Sequence, residues 1–128
     1  MSFHTLIIVG HLGQDPEMRY LADGKAVTSF SVATDRSYKD ADGNQVKITT
    51  WFRVSVFGKQ AESCNQYLNK GSMVLVEGTL NPDKKTGAPR VWTSQNGTTG
   101  ASYEVIAQTV RFLSTKQEEQ FDEDTTPF

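Results

Sequence analysis

The chain has little of what most catalytic or cross-linked proteins rely on: one cysteine, two histidines and four prolines in 128 residues. Cys64 alone cannot form an internal disulfide, which suits a reducing cytoplasm, and its simplest role is a small buried thiol. His4 and His11 fall on opposite faces of the first apolar block by their odd spacing and read as surface or interface residues; no Cys or His cluster has metal-ligand spacing. Phe57-Gly58-Lys59 lacks the other glycines of a phosphate loop and reads as a turn into a helix. No nucleophile stands beside a base, so neither catalysis nor a cofactor is implied. The longest strongly apolar run near the start, residues 6–9, is too short for a signal-peptide core or a membrane span.

A basic excess is also missing. Thirteen Lys and Arg stand against fifteen Asp and Glu, a net charge of -2 with a pI of about 5.6, which taken whole argues against a phosphate-binding surface. The total hides an asymmetry. Residues 1–117 hold 13 bases and 10 acids, a balance of +3, whereas the last eleven residues hold five acids and no base, a balance of -5. A mildly basic body followed by an acidic tail points to two different partners. The expectation is one domain over residues 1–114 and a disordered acidic tail over residues 115–128.

What is present in quantity is short apolar, β-branched blocks separated by Gly, Pro, Asp and Asn, the pattern of an all-β domain. Strands are predicted over residues 3–12, 25–36, 47–57, 72–80 and 102–113, with a short extended piece over 18–21. Residues 37–46 read as the exposed polar tip of a hairpin. Between the third and fourth strands, Ala61, Cys64 and Leu68 are spaced by three and four, the apolar face of a short helix. Residues 81–101 read as a long functional loop that either stays irregular or folds into its own hairpin around Trp92. Five strands with one helix between the third and fourth is the order of the oligonucleotide-binding (OB) fold, a partly open Greek-key barrel. Another small β-barrel shares that strand count.

The third strand carries the strongest signal. In Trp51-Phe52-Arg53-Val54-Ser55-Val56-Phe57, alternation gives Phe52, Val54 and Val56 one face and Trp51, Arg53, Ser55 and Phe57 the other. Burying Arg53 unpaired between two aromatics would cost several kcal/mol, so the second face is expected to be exposed. Exposed aromatics flanking a guanidinium form a stacking platform for bases, and equally a hot spot for a protein partner. The surroundings favour nucleic acid: residues 36–92 hold nine bases against five acids, with Arg36, Lys39, Arg53, Lys59, Lys70 and Arg90 interleaved among Tyr38, Trp51, Phe57 and Trp92.

Several blocks in order carry a resemblance. Gly10-His11-Leu12-Gly13-Gln14-Asp15-Pro16-Glu17-Met18-Arg19-Tyr20, Trp51-Phe52-Arg53-Val54, Phe57-Gly58-Lys59-Gln60-Ala61-Glu62, Tyr67-Leu68-Asn69-Lys70-Gly71-Ser72 and Val76-Glu77-Gly78 resemble the bacterial single-stranded DNA-binding protein family. The resemblance implies an OB fold, a homotetramer and sequence-independent binding of single-stranded DNA in replication, recombination and repair, in the bacterial cytoplasm at the nucleoid. It implies that Trp51, Phe57 and Trp92 stack on bases, with Tyr38 in place of a further aromatic, and that Arg53, Lys59, Lys70 and Arg90 meet the backbone. Phe52 stands where many members carry His at a subunit contact, which predicts either a less polar contact or a core position. The acidic end resembles the family's tip for recruiting DNA-maintenance proteins, with Asp122, Glu123, Asp124, Pro127 and Phe128 as its partner-binding residues. A merely solubilising tail would share the acids but not the Pro-Phe pair.

Overall fold

The computed structural model describes residues 1–114. Its elements are β1 (Leu6–Leu12), β2 (Glu17–Tyr20), β3 (Ala26–Lys39), β4 (Gln45–Phe57), α1 (Lys59–Tyr67), β5 (Met73–Leu80), β6 (Arg90–Thr93) and β7 (Thr99–Phe112). The sheet runs β1-β5-β7-β4-β3-β2, and a further pairing of β1 with β3 through His11 and Leu12 closes five of these strands into a barrel. β4 and β7 are parallel; the other ladders are antiparallel. This is the OB barrel expected from the sequence, with β2 and β6 added at its flanks.

The barrel interior follows from alternation along each strand. Ile8, Leu12, Phe30, Val32, Val54, Val56, Val74, Val76 and Val105 are buried together, and Phe52 packs against them from the margin. Phe52 also meets Tyr103, its neighbour on β7, with ring centroids 5.8 Å apart. Phe52 is therefore at least a core-edge residue. Helix α1 turns Ala61 and Cys64 inward, and Leu68 at its C-terminal cap is buried with them. Burial pushes the Cys64 thiol up to about 12, because a thiolate there would lose its hydration.

Polar side chains fix the points where ladders end or slip. The buried Thr28 hydroxyl donates to the Ala61 carbonyl at 2.6 Å, tying the helix to β3. At the irregularity in the β5–β7 ladder, the Gln60 side chain donates to the Gln108 carbonyl at 2.8 Å and accepts from the Val110 N–H at 3.0 Å. One helical side chain thus satisfies backbone groups that a bulge leaves free.

One segment differs from expectation, and another resolves an alternative the sequence left open. The β3–β4 ladder continues to Lys39 opposite Gln45, so the irregular tip shrinks to residues 40–44 rather than 37–46. The cause is Asp40, whose carboxylate accepts from the Asp42 and Asn44 N–H groups at 3.0 and 2.9 Å and makes a tight turn from a polar stretch. Residues 81–101 take the second of their two expected forms, a hairpin around Trp92. Asp83 caps a turn through the Lys85 N–H, and β6 then pairs with the start of β7, which begins at Thr99.

Candidate nucleic-acid interface

Side chains opposed in a ladder share a face, so the registers define one continuous outer surface. On β4, Trp51, Arg53 and Phe57 point outward and are exposed while Val54 and Val56 are buried. Ala33 and Ser31 of β3 lie opposite Trp51 and Arg53, and Glu104 of β7 lies beside Arg53. On the same side of β7, Ser102 opposes Arg90 and Gly100 opposes Trp92. Trp51, Arg53, Phe57, Arg90 and Trp92 therefore occupy one face across β4, β7 and β6. Its small neighbours, Ala33, Ser31 and Gly100, leave the rings standing clear.

Both indoles are seated. The six-membered ring of Trp51 lies where a Cβ on Gly13 would be, beside a hollow lined by Gly13, Gln14 and Ser31. Trp92 lies over Gly100 in the same way, and its Nε1–H donates to the Ser102 hydroxyl at 3.3 Å. The two residues are 52% and 50% exposed, as expected of rings covered on one side and open on the other. Phe57, at 40%, is the third aromatic of the face.

The cations are not equivalent. Arg90 lies against Glu104 (Nε to Oε1, 3.7 Å), and its buried Nε has no hydrogen-bond partner among the described residues. Lys47 faces Asp35 at 3.9 Å. Arg53 is exposed and in neither of these pairs. Lys59 begins α1 one residue beyond Phe57, after the N-cap Gly58, and Lys70 lies in the turn after the helix, where its backbone N–H donates to the Asp15 carboxylate at 2.8 Å; both side chains are exposed.

On the β3–β4 ribbon the register separates residues that the sequence put together. Lys39 shares the side of Trp51, whereas Tyr38 and Arg36 fall on the other side, in alternation with Phe52. All three are exposed. Sequence reasoning missed Gly13, Gly100, Ser102 and Glu104, since each matters only through a lateral neighbour on another strand. Asp122, Glu123, Asp124, Pro127 and Phe128 lie outside the described residues.

The profile of the single-strand binding protein family matches residues 3–113. The chain belongs to this family. A single-stranded DNA-binding protein from Xanthomonas axonopodis pv. citri is 42% identical over 117 residues, covering 91% of this chain and 61% of its own length. One from Neisseria meningitidis is 36% identical over 118 residues, covering 92% and 64%. The chain thus spans a little under two thirds of the length of these curated relatives. Among solved structures, the Plasmodium falciparum SSB complex with ssDNA superposes with a TM-score of 0.72 at 26% identity, covering 89% of this chain and 97% of that one. A deletion mutant of the single-stranded DNA binding protein from Thermus aquaticus gives 0.66 at 25%, covering 89% and 52%. The family's matched region contains the whole outer face described above.

Proposed function

We propose that this chain binds single-stranded DNA without sequence preference. Bases stack on Trp51, Phe57 and Trp92, and Arg53, Lys59, Lys70, Lys39 and Arg90 meet the phosphates. The observation that carries this reading is the shared outward face of β4, β7 and β6, where half-exposed indoles flank guanidinium groups on a rigid barrel. Every base has a π face, so such a surface needs no hydrogen-bond code. Tyr38 and Arg36 offer a second surface on the other side of the projecting ribbon, suited to a strand that wraps around it. The family membership supports the same substrate, since the relatives are named for it and one solved neighbour holds ssDNA. The role is therefore protection of single strands in replication, recombination and repair, at the nucleoid of a bacterial cytoplasm.

A homotetramer is part of the proposal. Ile7 and Val9 turn outward from β1 at 61% and 44% exposure; Val9 lies opposite Leu75 of β5 and Ile7 opposite Glu77, a largely apolar patch with one acid that association would cover. Recruitment of DNA-maintenance proteins is assigned to Asp122, Glu123, Asp124, Pro127 and Phe128, whose acids and terminal aromatic suit an apolar pocket with a basic rim.

The test is a titration of the full chain with oligo-dT. Tryptophan fluorescence is expected to fall on binding, and affinity to drop as salt is raised. Unchanged fluorescence without a salt-sensitive complex would refute the function. Light scattering that shows a monomer at working concentration would refute the tetramer alone.

A further inference from the structure

We propose that Gly100 is a positioning residue of this interface: having no Cβ, it forms with Ser102 a seat that fixes the Trp92 indole before a base arrives. This rests on the stacking reading of Trp92 and adds what makes that ring competent. Trp92 and Gly100 are opposed across the β6–β7 ladder. A Cβ on Gly100 would lie 2.6 Å from Cη2 and 2.8 Å from Cε2 of the indole, far inside van der Waals contact, so the ring fills the volume that any other side chain would take. The backbone does not itself demand glycine. Gly100 is absent from the six positive-φ glycines, Gly24, Gly43, Gly58, Gly71, Gly87 and Gly97, so an L-residue can adopt its conformation and only the indole excludes one.

A second hold lies two residues further along the same face of β7. The Ser102 hydroxyl accepts from Trp92 Nε1 at 3.3 Å, so the ring is restrained at its six-membered edge and at its nitrogen. Restraint matters here because β6 has four residues and, among the described residues, pairs with β7 alone. A large side chain on so short a flank would otherwise lose rotamer freedom on every binding event, and a preformed seat removes that cost. One side of the ring rests on the strand; the other, with half of the residue's surface exposed, is left for the base.

An aromatic lying over a strand glycine can also serve only to stabilise the hairpin, and a double-mutant cycle separates the two roles. Oligo-dT affinity is measured for the full chain and for Gly100→Ala, Trp92→Ala and the double variant. Gly100→Ala is expected to weaken binding roughly two- to tenfold, and to add nothing once Trp92 is Ala, because the methyl then has room. In a Trp51→Phe background Trp92 is the sole tryptophan. There, Gly100→Ala is expected to raise its quenching by acrylamide and shrink its response to oligo-dT. Ser102→Ala, which leaves glycine and ring intact, should move both readouts in the same direction by a smaller amount.

Wild-type affinity in Gly100→Ala alongside a weakened Trp92→Ala overturns the seat while leaving stacking in force. An equal loss from Gly100→Ala with and without the indole overturns it too, since the effect is then one of backbone. Unchanged Trp92 quenching in Ser102→Ala removes the second hold. Wild-type affinity in Trp92→Ala itself refutes stacking at this ring, and the seat with it.

Discussion

Glu104→Gln should tighten DNA binding, because Glu104 is the acid set among the cations of the outer face. It lies beside Arg53 in the β4–β7 ladder and 3.7 Å from Arg90. A phosphate reaching Arg90 must compete with this carboxylate. Two unit charges about 4 Å apart interact by about 1 kcal/mol at the dielectric of water and about 4 kcal/mol at an effective dielectric of 20. The Arg90 and Glu104 side chains are 40% and 24% exposed, and partly exposed pairs measure about 0–1 kcal/mol, so the lower figure applies. Removing the charge while keeping the shape should therefore strengthen oligo-dT binding by up to about fivefold at low salt. If Arg90 then makes one more phosphate contact, the slope of log affinity against log salt should steepen by about 0.7. Fluorescence titrations at four or five salt concentrations measure both quantities. Thermal unfolding should be nearly unchanged, since so weak a pair contributes little to the fold. Identical affinity and slope in Glu104→Gln would show that Arg90 does not reach phosphate.

Further outcomes follow from other parts of the molecule. Trp51→Ala should weaken oligo-dT binding by about 1–3 kcal/mol, the scale of one base–aromatic stack, with no loss of fold; filter binding and circular dichroism check the two halves. Leu68→Ala removes a buried side chain that closes the helix onto the barrel and should cost about 2–5 kcal/mol in urea unfolding. The Cys64 thiol, raised from 9.0 to about 12 by burial, keeps its proton in the folded chain while the unfolded chain releases it near pH 9. The unfolded state then binds fewer protons, so stability should fall as pH rises from about 9 to 12, and Cys64→Ala should lack that component in urea titrations at pH 8 and 10.5. Deleting residues 118–128 removes five carboxylates from the chain and should strengthen DNA binding at low salt; weaker binding would mean that the charge partition is only arithmetic.

The sequence makes some of this legible because alternation and helical spacing are local properties. The opposed faces of residues 51–57 need only the pleat, and Ala61, Cys64 and Leu68 need only 3.6 residues per turn, so the exposed platform and the inward helix face can be read without knowing the fold. Lateral neighbours are a different matter. Nothing within ten residues of Trp51 identifies Gly13 as its floor, and Glu104 reaches Arg53 only through a parallel ladder between segments about fifty residues apart. The side on which Tyr38 falls depends on register across the turn at Asp40, and one residue of slip would reverse it. The ribbon's length was hidden for a related reason: Asp40, Asp42, Gly43 and Asn44 signal a turn but not how tightly Asp40 closes it.

β7 is the last of the described strands, yet it inserts between β5 and β4, at the middle of the sheet rather than at its edge. During synthesis the chain therefore carries Trp51, Arg53 and Phe57 long before the surface they belong to exists. Until β7 enters, β4 and β5 each present an unpaired edge, and the floor and partner that Gly100 and Ser102 supply to Trp92 have not been made. Competence to bind should arise abruptly with the final strand, and a ribosome-held chain stopped before residue 99 should be an aggregation-prone intermediate with open edges and no affinity for DNA.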